Sequence, residues 1–524
     1  MLTKLNHNMQ HTISEELDRL RREDDASARI PTDPKEALLD SVRKHSRITS
    51  KIYLTYSKWL KDYVHNAPGL EGKAKQRAVF WANQILNALA PSNCFWTNPA
   101  AVDKFIKSNG ESLVKAHQNW LDDINRGDNL VKIADTEAFK VGENLATTPG
   151  FVVYRNALLE LIQYAPTTQT TYAVPVVFIQ PWINRFYIFD LDAEKSLVRY
   201  MLDQGFTVFI ISWKNPTSEM RNTTFEDYMF SGVLQAVEVA KDICNVQQVH
   251  AVGYCIGGTT LAALAAWLNR EPAQNGLTPI RHLTLLATMV DFAEPGELGV
   301  YICEKTVEAI ERLLERDGYL DARYMALAFR LLRSDSLIWR YHVHNYLQGG
   351  APPKSDMLFW NTDSTRLPAA MCSFYLREFY LHNNLVKEDG VVLGNRPIDL
   401  RLIEQPLYVV GAEQDHICPW RETFRICNLV RGPVRYVLTT EGHIAGIVNP
   451  PSERGRKKYW AAEADGQIGP DEWLSDRPEQ KGSWWTDWAK WLSERCDGMA
   501  APPPIGSPGH PPLEKAPGRY VMEQ

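Results

Sequence analysis

The sequence predicts an α/β protein, a mostly parallel sheet covered by helices on both faces, with a helical domain ahead of it. Three observations predict it. Apolar runs of strand length alternate with amphipathic helical patterns from about residue 170 to 290, and strand-like runs return at 407–411 and 434–438. Those runs are apolar on both faces, the mark of strands buried in a covered parallel sheet. One of them, 249–252, runs directly into Gly253-Tyr254-Cys255-Ile256-Gly257-Gly258 and then an apolar helical pattern over 261–268. That is a strand, a sharp turn and a helix with Cys255 at the apex.

Composition narrows the class. A chain of 524 residues is too long for one core, so two or three units are expected. The hydrophobic fraction of 44% and charged fraction of 23% are those of an ordinary globular protein. A net charge of −6 argues against a general nucleic-acid binder. The eight cysteines are scattered with no C-x-x-C pair, which suits a reducing cytosol and gives no zinc signature, so no metal and no cofactor is expected. The N-terminus has no apolar core of a secretory signal, and no apolar run is long enough to span a membrane.

The elements follow in order. Residues 1–35 are polar and charged and read as a mobile arm or marginal helix. From 36 to 165 apolar residues recur at helical spacing, for example Ile52, Tyr56, Trp59, Leu60 and Tyr63, which predicts an α-helical domain. The catalytic α/β domain is placed at 166–500. Its strands are 174–179, 206–211, 249–252, 283–290, 407–411 and 434–438, with helices near 194–203 and 226–243. The alternation breaks at 291–400, a long, mostly helical, aromatic stretch read as a lid over the elbow, with Gly349-Gly350 and Pro352-Pro353 as its hinge. Trp484, Trp488 and Trp491 share a helical face and read as core, and 501–524 is a Pro-rich tail.

The turn at Cys255 has the layout of a nucleophile elbow, with cysteine where serine is usual. A strained turn needs neighbours with almost no side chain, hence Gly253 and Gly257. It also aims the Ile256 N–H and the helix N-terminus at the reacting centre, where they stabilise a thiolate and an oxyanion. A second oxyanion donor belongs in the loop after 174–179, at or near Ile183. In such a fold the acid and the histidine follow the nucleophile, on loops after later strands. Asp415 follows the 407–411 run and His443 follows the 434–438 run. His443 is therefore the candidate base and Asp415 the group that fixes its tautomer. His416 is a rival base, and Asp291 and Glu413 are rival acids. Thiolate attack on an oxygen ester must expel a poorer leaving group than itself, whereas attack on a thioester is nearly balanced. A cysteine elbow thus favours acyl transfer from a thioester such as a coenzyme A ester.

The motifs resemble those of the poly(3-hydroxyalkanoate) synthases, in their single-subunit, short-chain type. Gly253-Tyr254-Cys255-Ile256-Gly257-Gly258-Thr259 is similar to their cysteine lipase box. Asp415-His416-Ile417-Cys418-Pro419-Trp420 is similar to their aspartate loop, with Cys418 where valine is usual, and Gly442-His443-Ile444-Ala445-Gly446 to their histidine loop. Pro181-Trp182-Ile183-Asn184, Phe359-Trp360-Asn361-Thr362-Asp363, Ser483-Trp484-Trp485 and Pro517-Gly518-Arg519-Tyr520-Val521 extend the likeness, which runs from about residue 75 onward. The resemblance implies an α/β-hydrolase fold and polymerisation of (R)-3-hydroxyacyl-CoA, most simply 3-hydroxybutyryl-CoA, with release of CoA. Cys255 would carry the chain as a thioester, His443 would activate the thiol, and Asp415 would help activate the attacking 3-hydroxyl. It further implies a homodimer at the surface of cytoplasmic polyester granules, in the company of granule-coat proteins, and Arg377 as a contact for CoA phosphates. A thioesterase or esterase on the same scaffold, and an inactive granule-binding protein, are the competing readings.

Overall fold

A computed structural model describes residues 33–271, 276–452, 455–464, 467–475 and 477–523. The expected N-terminal arm lies, but for its last three residues, outside the described residues. The described residues form two compact units: those up to 136 with 325–355, and those of 137–324 with those from 356 onward.

The first unit is helical. Helix α1 (Pro34–His65) opens on Asp33, whose carboxylate accepts from Lys35 N–H, with proline at the first helical position. Helices α2 (Gly72–Leu89), α3 (Pro99–Lys107) and α4 (Glu111–Arg126) follow, and α4 is bracketed by left-handed Gly110 and Gly127. The middle of the expected lid belongs to this unit. Asn119 of α4 donates to the carbonyls of Asn345 and Gly350, and Arg330 donates to that of Val131. The expected hinge is tied down as well. A Cβ on Gly349 would meet the Ser112 carbonyl oxygen at 2.1 Å, and one on Gly350 the His344 ring at 2.3 Å. These glycines permit close packing; they do not loosen the chain.

The second unit is built on one sheet. Its strands are β1 (Gly150–Arg155), β2 (Leu159–Tyr164), β3 (Val176–Ile179), β4 (Val208–Trp213), β5 (Val249–Tyr254), β6 (Ile280–Leu286), β7 (Leu407–Ala412), β8 (Val434–Thr439), β9 (Lys458–Ala464), β10 (Gln480–Lys481) and β11 (Glu514–Lys515). Their spatial order is β10-β9-β8-β7-β6-β5-β3-β4-β2-β1-β11. The six central strands from β8 to β4 are parallel, and the flanks are antiparallel. Every residue of β2, β3, β4, β5 and β7 is buried, as the apolar runs of the central parallel strands under two helical layers lead one to expect.

Two boundaries differ from the expected ones. The helical domain ends near 136, not 165, because Phe151, Val152 and Tyr154 pair antiparallel with β2. The segment after 500 is not a loose tail. Its β11 closes the sheet edge, and the Arg519 and Tyr520 N–H groups donate to the Glu160 carboxylate, which is fully buried. A buried charge must find donors, and the Pro-Gly-Arg-Tyr turn supplies them.

Candidate active site

Parallel order puts the carboxyl ends of β5, β6, β7 and β8 in one row, so the loops after β5, β7 and β8 meet along that edge. Cys255 follows β5 with φ 51° and ψ −122°, a conformation that costs a non-glycine residue about 1–3 kcal/mol and must be imposed by its surroundings. The glycines show how. A Cβ on Gly253 would lie 2.4 Å from the Gly258 Cα, and one on Gly257 would lie 2.3 Å from the Ile179 carbonyl oxygen. The turn is therefore clamped between β5, the elbow helix Ile256–Arg270 and the end of β3. The Ile256 N–H opens that helix, where backbone donors have no intrahelical partner. Ile183 sits buried in the neighbouring loop, its carbonyl accepting from Thr365 N–H.

His443, after β8, presents Nδ1 to Asp415 Oδ2 at 2.7 Å. The other oxygen of Asp415 accepts from the N–H groups of Ile417 and Cys418 at 2.9 and 2.8 Å, and its side chain has no exposed surface. Asp415 thus fixes the imidazole from behind. Its second nitrogen is left for the thiol side, and a His443 ring nitrogen, Cys255 Sγ and Cys418 Sγ all lie within 4.8 Å of one another. The histidine loop is held by aromatic residues. Tyr254 stacks on the His443 ring at 5.2 Å and donates its hydroxyl to the His443 carbonyl. The indole N–H groups of Trp484 and Trp485 hold the carbonyls of Gly446 and Ile447, each at 2.9 Å.

The electrostatics form an ion pair. A hydrogen bond from Cys418 and the charge of His443 outweigh burial and pull the Cys255 thiol down to about 5, while the Cys418 thiol, next to that sulfur and buried, is pushed far up. Burial opposes charge on His443, yet Asp415 and the Cys255 thiolate raise it to about 10. The two opposite shifts favour a thiolate paired with an imidazolium.

The rivals have other partners. Asp291 binds Arg425 at 2.9 Å and accepts from Asn383 and the Ala293 N–H. Glu413 is exposed, and His416 shares the acid's loop, its carbonyl accepting from Glu297 N–H. Arg377 is held by Glu311 through two bonds of 2.7 and 2.6 Å and by Glu304 at 2.7 Å, the salt-bridged arrangement of an arginine bracing the cap.

The two ends of the insertion that remain with this unit cover the elbow. Cys255 is only 8% exposed. Tyr375 reaches Thr259 of the elbow helix, and Phe292, Phe379 and Trp182 pack around Tyr375. Tyr375, Phe379 and Tyr380 stand on a π-helical turn, Tyr375–Leu381, which rotates successive side chains by less than an α-helix does. No helix among the described residues is long and apolar enough to cross a membrane.

Comparison with known proteins decides the family. The profile described as "Poly-beta-hydroxybutyrate polymerase (PhaC) N-terminus" matches residues 41–201, and that of the alpha/beta hydrolase fold matches 174–450. The poly(3-hydroxyalkanoate) polymerase of Methylorubrum extorquens is 39% identical over 495 residues, 94% of this chain and 81% of the relative. The chain belongs to the poly(3-hydroxyalkanoate) polymerases. The polymerase subunit of Rhizobium meliloti is 39% identical over 90% of this chain and 76% of its own length. That of Cupriavidus necator is 37% identical over 91% and 80%. This polymerase has the α/β-hydrolase fold expected from the strand alternation, and it brings Cys255, Asp415 and His443 together at the carboxyl edge of its sheet. Sequence reasoning missed the part of Cys418 inside the site. Its signal was a cysteine three residues after Asp415, noted only as a departure from the family pattern. It also missed the hold of the two tryptophans on the histidine loop.

Proposed function

We propose that this polymerase joins (R)-3-hydroxyacyl units from their CoA thioesters, carrying the chain on Cys255. The observation that supports this most is the cysteine elbow paired with His443 under Asp415, in a site closed by aromatic side chains. The Cys255 thiolate attacks the thioester carbonyl, and the oxyanion is stabilised by the N–H groups of Ile256 and Ile183. The CoA thiolate leaves and takes the Nε2 proton of His443. The 3-hydroxyl of the next unit then gives its proton to the neutral Nε2 as its oxygen attacks the Cys255 thioester. The C–S bond breaks and the thiolate–imidazolium pair is restored. The lengthened chain now ends in the incoming unit's CoA thioester and acylates Cys255 again, releasing CoA. Asp415 acts throughout through His443, since its side chain presents no surface to a substrate hydroxyl.

A covered thioester also resists water, which would otherwise end the chain at each cycle. The cover must open for CoA and for polymer, so the segments bearing Phe292 and Tyr375–Leu381 act as a mobile lid. Exposed Trp81, Ile85, Leu89, Val114 and Trp120 on α2 and α4 support adhesion of the helical unit to an apolar polymer surface, or to a second copy in a dimer. Incubation with (R)-3-hydroxybutyryl-CoA tests the reading. Insoluble polyester formed in step with CoA is expected. Free hydroxy acid in place of polymer would make the protein a thioesterase, and absence of turnover an inactive granule binder.

A further inference from the structure

Cys418 takes no bond-making part in the reaction above, yet it stands inside the site. The Cys255 and Cys418 sulfurs and a His443 ring nitrogen lie within 4.8 Å of one another. The exposures of Cys255 and Cys418 are 8% and 3%, and that of the His443 side chain is 10%. Asp415 occupies Nδ1, so the nitrogen facing the sulfurs is Nε2.

Two sulfurs and an imidazole nitrogen are a donor set for soft and borderline divalent ions. Tetrahedral zinc keeps two thiolate sulfurs about 3.8 Å apart and a sulfur and an imidazole nitrogen about 3.6 Å apart. The observed separations, none above 4.8 Å, need contract by no more than about 1 Å to reach it. The outer shell is in place too. A carboxylate on Nδ1 sets the tautomer and orientation that offer Nε2 to a metal, and Asp415 is itself fixed by the Ile417 and Cys418 N–H groups. A hard ion such as Mg2+ finds no converging set of oxygen ligands here.

We infer that Cys255, Cys418 and His443 form a three-ligand site for Zn2+ or a cation of like softness, and that its occupation silences the enzyme by taking nucleophile and base together. The ligand that makes it a site is Cys418, because a cysteine and a histidine alone offer only two donors. Coordination requires both sulfurs as thiolates and an unprotonated Nε2, so the metal displaces protons from Cys418 and His443. The binding half stands on the geometry, and the inhibition half rests on the catalytic reading of Cys255 and His443.

The test uses the full-length protein with Co2+ as an optical probe and Zn2+ in a buffered free-metal series. One Co2+ per chain is expected, with a thiolate-to-cobalt absorption band displaced by Zn2+ and untouched by Mg2+. Cys418→Val should lose about half of that band and bind at least about 100-fold more weakly, a larger loss than removal of an outer-shell partner brings. Cys418→Ser serves the same end should the valine variant misfold, and circular dichroism checks both. Polymer formation, scored for each protein against its own metal-free rate, should need at least about 100-fold more free Zn2+ for half inhibition in either variant. A wild-type protein with no thiolate-to-cobalt band, or Cys418 variants that bind like wild type, overturns the site and leaves the catalytic reading standing. Full Zn2+ occupancy with an undiminished polymerisation rate overturns the catalytic reading and leaves the site standing.

Discussion

The elbow and the cap over it are fixed by different physics. At the elbow, backbone meets backbone. Gly253 and Gly257 leave no space even for a methyl group, and Cys255 is held at a positive φ of 51°. The cap is held at its root by a few backbone bonds, from Thr365, Ala370 and Met371 to Ile183, Arg221 and Thr223, and over the elbow by side chains: rings around Tyr375, and Arg377 between Glu304 and Glu311. Backbone clamped on every side cannot yield without unfolding, whereas ring contacts and part-exposed ion pairs can separate one at a time. The molecule keeps its rigid interactions where the reacting atom must not move and its separable ones where substrate must pass.

Substitutions can break or sharpen that contrast. Cys255→Ala should lower CoA release by about 10⁴-fold or more, since nothing else at the elbow can attack. Cys255→Ser should be nearly as poor. Polymer formation by folded Cys255→Ala protein would remove the elbow from the chemistry altogether. Behind it come the two groups that tune the thiol. His443→Gln should cost about 10³-fold, with no acylation in a single turnover. Asp415→Asn should cost about 10²-fold and still acylate once, because the cysteine keeps part of its thiolate without the carboxylate. Equal acylation by the two variants would contradict this division.

The ion pair gives a pH signature. Alkylation of Cys255 by a small neutral reagent should vary by less than about 2-fold between about pH 6 and 9, where a free thiol gains about tenfold per unit until it nears its pKa of about 8.5. It should fall about tenfold per unit once pH drops below about 5, as the depressed thiolate takes up its proton. A profile rising through pH 8.5 would mean that no pair forms. Trp484→Phe removes the indole N–H from the Gly446 carbonyl, so a stability loss of about 1–3 kcal/mol and a few-fold loss of rate are expected from denaturant melts and initial rates. The smallest effect belongs to the cap. Arg377→Gln frees Glu304 and Glu311, and labelling of Cys255 by a bulky thiol reagent should rise about 2-fold with KM for acyl-CoA unchanged. A raised KM with unchanged labelling would instead make Arg377 a phosphate contact.

The same contrast separates what the sequence disclosed from what it did not. The central strands were legible because burial on both faces writes continuous apolar runs, and the six expected runs all became strands of the sheet. The triad was legible because chain order in this topology dictates loop order in space. β1 and β2 were not, although Phe151-Val152-Val153-Tyr154 carries the β-branched and aromatic signal, because they lie at the end of a stretch dominated by helical spacing. The π-helical turn under Tyr375 was out of reach, since one extra residue per turn leaves no mark distinct from an α-helical period. Cys418 shows the same limit: a residue type was visible, but that its sulfur meets that of Cys255 is a fact of three dimensions.

The division of the insertion bears on how the protein can be taken apart. Residues 325–355 lie in the helical unit, although they are flanked on both sides by chain that folds with the sheet. Deleting the first 136 residues would therefore not trim a module. It would leave Arg330 without the Val131 carbonyl and Asn345 without its partners at Asn119 and Lys132, on a segment still held in the middle of the chain. A graft of one relative's N-terminal region onto another's catalytic region would fail for the same reason unless 325–355 travelled with it. For recombination, the heritable unit is a pair of segments separated by nearly two hundred residues, and crossovers that respect only the linear order cut through a folded body.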